Sequence, residues 1–231
     1  MKTRISILLF SLLFLFSCTL RTFEGPPKTE TRSLSEYDEV KVSGPFDVTV
    51  DPRLAYDLEI TAPEDALEYV KTEVKGDVLV IDLDVNGFMS PGMTVRISND
   101  YINKVTVNGS GEFEGSIKPK EDLVLGVYGS GDIDVQANAA TVKTEVSGSG
   151  EIDVRGECNI ALADISGSGD INLAELKAKD ADVKISGSGE IDVYASGILK
   201  ASISGSGDID VHGNPSKLDK SVSGSGSIRS Y

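Results

Sequence analysis

One feature constrains this chain more than any other: Gly-Ser-Gly occurs seven times, starting at Gly109, Gly129, Gly148, Gly167, Gly187, Gly205 and Gly224. The spacings are 20, 19, 19, 20, 18 and 19 residues, far too regular for chance. A flexible linker is excluded, because each copy is flanked by alternating apolar residues. Four places after the first Gly stand Phe113, Ile133, Ile152, Ile171, Ile191, Ile209 and Ile228. Two places before it stand Val107, Val127, Val146, Ile165, Ile185, Ile203 and Val222. Period-two alternation means strands with one buried face. Each copy is therefore read as a strand, a glycine corner and a second strand, with a later corner marked by Gly156, Gly197 and Gly213.

A coil of about 19 residues cannot bury its own apolar face. Stacked coils can, each Ile lying ~4.8 Å above its counterpart. The expected fold is all-β: a single-domain, right-handed parallel β-helix, the hand following the rule for parallel crossovers. Seven coils would rise roughly 30–35 Å. Residues 33–108 are strand-rich but less regular. Alternation places strands near 40–43, 46–51, 56–61, 78–85 and 93–98, and Ser43-Gly44-Pro45-Phe46-Asp47-Val48 resembles a degenerate repeat. A short helix is expected over 63–68, with proline early and acids in its first turn. This region is read as an irregular capping segment ahead of the repeats at 109–231, the two together forming one domain, 33–231.

The start of the chain carries targeting information. Lys2 and Arg4 precede a 12-residue run, Ile5–Phe16, that is apolar apart from Ser6 and Ser11. That is a secretory signal, too short to span a membrane comfortably. It ends in Leu15-Phe16-Ser17-Cys18, which resembles the box cleaved ahead of a lipidated cysteine. Residues 1–17 are thus expected to be removed, and Cys18 to carry the lipid anchor. Residues 18–32, polar with Pro26-Pro27, are read as a flexible tether. Thr19 lacks the acidic signal that retains lipoproteins in the inner membrane, so the expected location is the outer membrane, facing the periplasm or the exterior.

The full chain has 22 basic and 37 acidic residues. Without Lys2 and Arg4 the charge is near −17. Phosphate backbones would be repelled, which argues against nucleic acid. Many of the acids lie in two outward rows beside the Ile row: Glu112, Asp132, Glu151, Asp170, Glu190 and Asp208, then Glu114, Asp134, Asp153, Asn172, Asp192 and Asp210. Two readings stand. The rows keep a repetitive sheet soluble, or they bind Ca²⁺ weakly, with Glu151, Asp153, Asp170, Glu190 and Asp192 as candidate ligands. Stacked like charges should raise the central carboxyls, while Arg155 lies just past Asp153 and Arg229 faces Asp210. Glycoside cleavage requires one pair in unequal environments, and here every coil repeats the same pair. In the calcium-binding nonapeptide an Asp lies two places past the last Gly; here that place is Ile, as in Gly150-Glu151-Ile152.

Single residues add little chemistry. His212 reads as a surface residue and Cys158 as a structural thiol. Tyr128, Tyr194 and Tyr231 could form an outer strip for sugars. Nucleophile motifs, phosphate loops and metal-ligand spacings are missing from the sequence, so no enzyme is expected and no cofactor is required.

With Glu39-Val-Lys-Val-Ser-Gly-Pro-Phe-Asp-Val-Thr-Val50 and the Gly-Ser-Gly-Asp-Ile-Asp-Val copies in view, the chain resembles the putative auto-transporter adhesin, head GIN domain family of Bacteroidetes-type lipoproteins. The resemblance runs from about Tyr37 to Gly226. It implies adhesion or surface recognition and supplies no catalytic residues. Two function classes follow: a recognition module binding a glycan or protein through a solenoid face, or a structural, self-associating envelope component with no soluble ligand.

Overall fold

The computed structural model describes residues 21–85, 88–89 and 92–231. The leader and Cys18 lie outside the described residues. The repeats form a β-solenoid of stacked parallel coils. A leading sheet collects the strands ahead of each Gly-Ser-Gly, and a trailing sheet collects those after it. In the middle coils one strand run, such as Asp132–Gly148, Glu151–Gly167 or Asp170–Gly187, passes from the trailing sheet round a narrow side into the leading sheet.

Register is strict where the sequence repeats. The trailing-sheet rungs pair Phe113 with Ile133, Ile133 with Ile152, Ile152 with Ile171, Ile171 with Ile191, Ile191 with Ile209 and Ile209 with Ile228. Those from Phe113 to Ile209 are at most 1% exposed, as the alternation requires. The inner rows of both sheets fill the interior. Variation in coil length is absorbed on the narrow side: between Glu151–Gly167 and Asp170–Gly187 the register shifts between Asp153 and Gly156, and against the next coil it shifts between Leu173 and Ala178.

The two glycines of each corner share one constraint and differ in a second. Gly167 has φ +139°, a region open essentially to glycine alone. Gly169 lies outside that region, but a Cβ there would sit 2.3 Å from the Gly150 carbonyl oxygen of the coil below. Both glycines let the coils approach, since a Cβ at Gly167 would likewise sit 2.3 Å from the Gly148 carbonyl oxygen, and the first in addition turns the chain. Between them the Ser168 amide donates to the Gly148 carbonyl at 2.9 Å, so the corner itself continues the ladder.

The irregular region 33–108 does cover one end, by a route the sequence did not disclose. Strands Glu39–Ser43 and Phe46–Val50 form a coil in register with the repeats, pairing Val40 with Val105 and Val48 with Phe113. The next rung outward is Val78–Leu83 and Met93–Ile97. The first coil in sequence is thus the second in space. Antiparallel strands then close the stack: Val70–Lys75 on Val78–Leu83, Leu58–Pro63 on Met93–Ile97, and Pro27–Arg32 on Leu58–Pro63.

Two expectations need correction here. The segment 18–32 is not simply a tether: Pro27–Arg32 is a strand, and Phe23 is buried in the cap against Tyr69. Its Thr-Glu-Thr alternation pairs with the Leu58–Pro63 edge, and Arg32 donates to the Val70 carbonyl and Thr72 Oγ1. No helix forms over 63–68 either. Pro63 ends a strand, and only Leu67–Tyr69 winds as a single 3₁₀ turn. The Asp65 carboxylate accepts from the amides of Glu24 and Gly25 instead of capping a helix.

Candidate functional site

The outer face of the trailing sheet carries the acidic rows, placed side by side by the register. Down the first row run Thr94, Asp47, Glu112, Asp132, Glu151, Asp170, Glu190, Asp208 and Ser227. From Glu112 to Asp208, Glu and Asp alternate, and the alternation has a structural reason. Asp132 Oδ1 accepts from the Glu151 amide at 3.0 Å, Asp170 Oδ1 from the Glu190 amide at 3.0 Å, and Asp208 Oδ1 from the Ser227 amide at 2.9 Å. Each such aspartate ties its coil to the next. The groups raised in this row are Glu112, Glu151 and Glu190, lifted first by burial and then by neighbouring carboxylates. Asp208 is lowered, because Ser227 donates both its hydroxyl and its amide to it. The expected upward shift of the central carboxyls therefore holds for part of the row, with desolvation rather than charge repulsion as its leading cause.

The second row runs Arg96, Thr49, Glu114, Asp134, Asp153, Asn172, Asp192, Asp210 and Arg229. Arginine stands at both ends. Arg229 Nε and Nη2 reach Asp210 at 2.7 and 3.0 Å, the pairing its position suggested. Arg96 bonds Asp51 and Glu59 at 2.6 and 2.8 Å. In the middle, Arg155 bridges Asp134 and Asp153, the latter at 3.1 Å, and Asn172 donates to Asp153 Oδ2 at 3.1 Å. Asp153 is nonetheless raised, burial outweighing Arg155. His212 Nε2 meets Asp192 Oδ1 at 2.8 Å and stacks on Tyr231.

The proposed cation ligands occupy both rows but do not converge. Asp153, Asp170 and Asp192 are each engaged by Arg155 and Asn172, the Glu190 amide, and His212 respectively. Among the described residues no group of three or more Asp, Glu, His or Cys side chains is placed to hold a metal ion. The tyrosines do not form one strip: Tyr128 lies in the leading sheet beside Asn108 and Ser147, Tyr194 in the trailing sheet beside His212. Lys177 stands 4.1 Å from the Tyr194 ring centroid. Cys158 is buried and free, its thiol pushed up to about 11 by that burial, which suits a structural role.

Sequence reasoning overlooked a cleft at the capped end. It measures about 440 Å³ and is walled by residues 34–38, Asp57, Asp77, Ser98, Asn99, Tyr101 and Lys120. These come from the ends of strands far apart in sequence. The cap ladder joins them: the amides of Asp38 and Glu39 both donate to the Asp77 carbonyl at 3.0 Å, and Ser98 N to the Asp57 carbonyl at 3.1 Å. Asn99 Nδ2 donates to the Tyr37 carbonyl at 2.7 Å while its Oδ1 accepts from the Tyr101 amide at 2.9 Å. Lys120 Nζ and Asn103 Nδ2 both reach Asp38 Oδ2, at 3.0 and 2.9 Å. Tyr37 is 8% exposed, and among the described residues its hydroxyl is the buried side-chain polar atom without a hydrogen-bond partner. The available signal was Ser98-Asn99-Asp100-Tyr101, a polar run interrupted by an aromatic between two strands.

Known structures share this architecture. A putative adhesin from Bacteroides fragilis NCTC 9343 superposes with a TM-score of 0.79 at 20% identity, over 91% of this chain and 99% of that one. A putative adhesin from Parabacteroides distasonis ATCC 8503 gives 0.71 at 22% identity, over 91% and 99%. A protein of the same organism described as a putative lipid binding protein gives 0.71 at 28% identity, over 91% and 98%. No curated protein matches the chain. The sequence of residues 36–215 matches the family described as putative auto-transporter adhesin, head GIN domain. That match spans most of the chain, from the first coil of the cap through six of the seven Gly-Ser-Gly corners, and the chain belongs to this family.

Proposed function

We propose that this chain is a non-enzymatic recognition module of the bacterial cell envelope, anchored through Cys18 and binding a glycan or protein through an outer face of its solenoid. The observation that carries the reading is the rigid register of the trailing sheet. Parallel in-register pairing sets outward side chains in straight rows across successive coils. Such a surface is preorganised, so little side-chain and backbone freedom is lost when a partner docks. The carboxylates also engage backbone amides, arginine and histidine rather than standing as one unequal pair, which supports binding over hydrolysis. The adhesin names of the family and of two structural relatives agree with this. Screening the whole purified protein against glycan and protein libraries tests it; failure to bind either class defeats it.

A second reading has one observation in its favour. On the last coil Val222 and Tyr231 are 45% and 72% exposed. Stacking of two molecules through these coils would give a self-associating envelope component. Sedimentation velocity tests this reading, since stacking through these coils requires a dimer or larger species and a monomer at all concentrations defeats it. Protease accessibility in intact cells adds a second discriminator, because recognition of an external partner requires exposure to the outside.

A further inference from the structure

We propose that the cleft at the capped end, built by Tyr37, Asp38, Asp57, Asn99, Tyr101 and Lys120, is a binding site for a neutral sugar residue; this rests on the recognition reading and narrows it to one ligand class and one place. The volume, about 440 Å³, falls in the roughly 300–1,000 Å³ range of small-ligand sites. Its walls are strand ends and loops on a rigid ladder, where binding residues concentrate.

The chemistry of the lining selects the ligand. Glu36, Asp38, Asp57 and Asp77 stand against Lys120, so an anion is repelled. Leu34 is the one aliphatic residue among the lining, which gives an acyl chain no apolar wall. Donors and acceptors are both offered: the carboxylates accept, Lys120 donates, and Ser35, Ser98 and Tyr37 do either. A sugar hydroxyl is likewise donor and acceptor at once. Several of these groups are already held in place: Asp57 Oδ2 accepts from the Leu34 amide at 3.0 Å, and Asp38 and Asn99 are fixed as described above. Preorganisation of this kind lowers the cost of binding.

Two side chains point to a ligand most directly. Tyr101 lines the cleft, is 58% exposed, and is steadied by Lys118, whose Nζ lies 5.6 Å from its ring centroid and bonds Asp100 at 2.5 Å. An exposed aromatic face, electron-rich at its centre, suits the C–H face of a pyranose. Tyr37 lines the same cleft with its hydroxyl buried and unpartnered. Burial without a bond is costly, and that burial, with the Asp57 charge second, holds its proton on, leaving a donor in want of an acceptor. A sugar oxygen would satisfy it once a small shift of the ring uncovers the hydroxyl to the cleft.

The test uses the whole purified protein on an array of neutral, amino and acidic oligosaccharides, followed by calorimetry with the strongest neutral binder. Tyr37→Phe and Tyr101→Ala should each weaken that binding by about tenfold or more, the loss of one well-placed hydrogen bond or ring contact. Tyr37→Phe should leave the unfolding midpoint unchanged or higher, which a purely structural hydroxyl would not do. Tyr128→Ala, on the leading sheet, should bind as wild type. Neutral-sugar binding that survives both cleft variants overturns the site while leaving recognition intact. Binding confined to acidic or amino sugars, or to proteins, overturns the sugar assignment alone. Binding to neither glycans nor proteins removes the recognition reading as well.

Discussion

Three glycine-to-alanine substitutions separate the forces that make Gly-Ser-Gly the unit of this fold. At Gly76, in the turn before Val78–Leu83, φ is +64° and a Cβ would meet nothing within 4 Å. Alanine there costs only the left-handed strain, ~1–2 kcal/mol. At Gly169 the dihedral is ordinary, but a Cβ would approach the Gly150 carbonyl oxygen to 2.3 Å and Val146 Cγ1 to 2.6 Å. Ordinary contact begins near 3.4 Å, so the coils must part by about an ångström out of a ~4.8 Å rise. Overpacking of that kind costs ~1–3 kcal/mol. The Asp170 amide bond to the Gly150 carbonyl, 3.1 Å, is stretched with it, for ~1 kcal/mol more. At Gly167 both apply: φ is +139° and the Gly148 carbonyl oxygen lies 2.3 Å from the added carbon. The sum there is ~2–6 kcal/mol. Guanidinium unfolding followed by circular dichroism should therefore rank the losses Gly76→Ala, Gly169→Ala, Gly167→Ala from least to greatest. A Gly169→Ala loss no larger than that of Gly76→Ala would show that coil spacing is not what the second glycine protects.

Four further outcomes follow from the same geometry. Ile171→Asp puts a carboxylate among residues that are almost wholly buried and should cost ~3–5 kcal/mol, whereas Asp170→Asn keeps the Oδ1 acceptor for Glu190 and should be near neutral; the reverse order of denaturation midpoints would invert the assignment of faces. Glu112, Glu151 and Glu190 have raised folded carboxyls, so their contribution favours the fold as pH falls through those raised values and is lost as pH climbs above them; replacing all three with Gln should make the thermal midpoint respond less favourably to acidification than it does in the wild type, and an unchanged profile would refute it. Cys18→Ala should abolish acyl labelling and release the protein from the membrane fraction, and retention of the variant in membranes counts against the anchor. Among the described residues the acidic rows bring no three ligands together, so calcium at matched ionic strength should move the unfolding midpoint no further than sodium chloride; a calcium-specific gain would assign a weak cation site to Glu151, Asp153, Asp170, Glu190 and Asp192.

The repeats were legible because their physics is local and periodic. Ile at a fixed offset from each glycine pair predicts a buried row, and each coil's neighbours are the adjacent copies of the same sequence. The cap was legible only as strands. Its topology depends on pairings such as Val40 with Leu79 and Val105 on either side, and alternation says which face of a strand is buried but not which strand lies beside it. Pro27–Arg32 was hidden for a related reason. An edge strand in an antiparallel cap is polar on most of its length, so its composition is that of a tether, and only the partner Leu58–Pro63 makes it a strand. The sugar cleft was the least visible feature, since Tyr37, Asp57, Tyr101 and Lys120 are brought together by those same long-range pairings.

The acidic face poses a physical problem that the sequence solves within its own repeat. Identical coils in register would set like carboxylates ~4.8 Å apart, each pair repelling by about 0.9 kcal/mol in water and several-fold more near a protein surface. In the first row the alternation of Asp and Glu breaks the identity. Each Asp whose oxygen accepts from the amide of the coil above, as Asp132, Asp170 and Asp208 do, directs its charge onto a backbone donor and exchanges repulsion for a charge-assisted bond. The second row lacks that alternation and uses other means: Arg155 between Asp134 and Asp153, neutral Asn172 at the centre, His212 on Asp192, and arginine at each end. The two rows therefore differ in what a substitution does. Asp170→Ala breaks a link between coils, so its loss of stability should persist at high salt. Arg155→Met unmasks repulsion between partly exposed carboxylates, so its loss should shrink as ionic strength rises and the Debye length falls toward ~3 Å at 1 M. Measuring both variants in low and molar sodium chloride distinguishes these mechanisms, and an Arg155→Met deficit that survives molar salt would mean that the arginine holds the face by packing instead of charge.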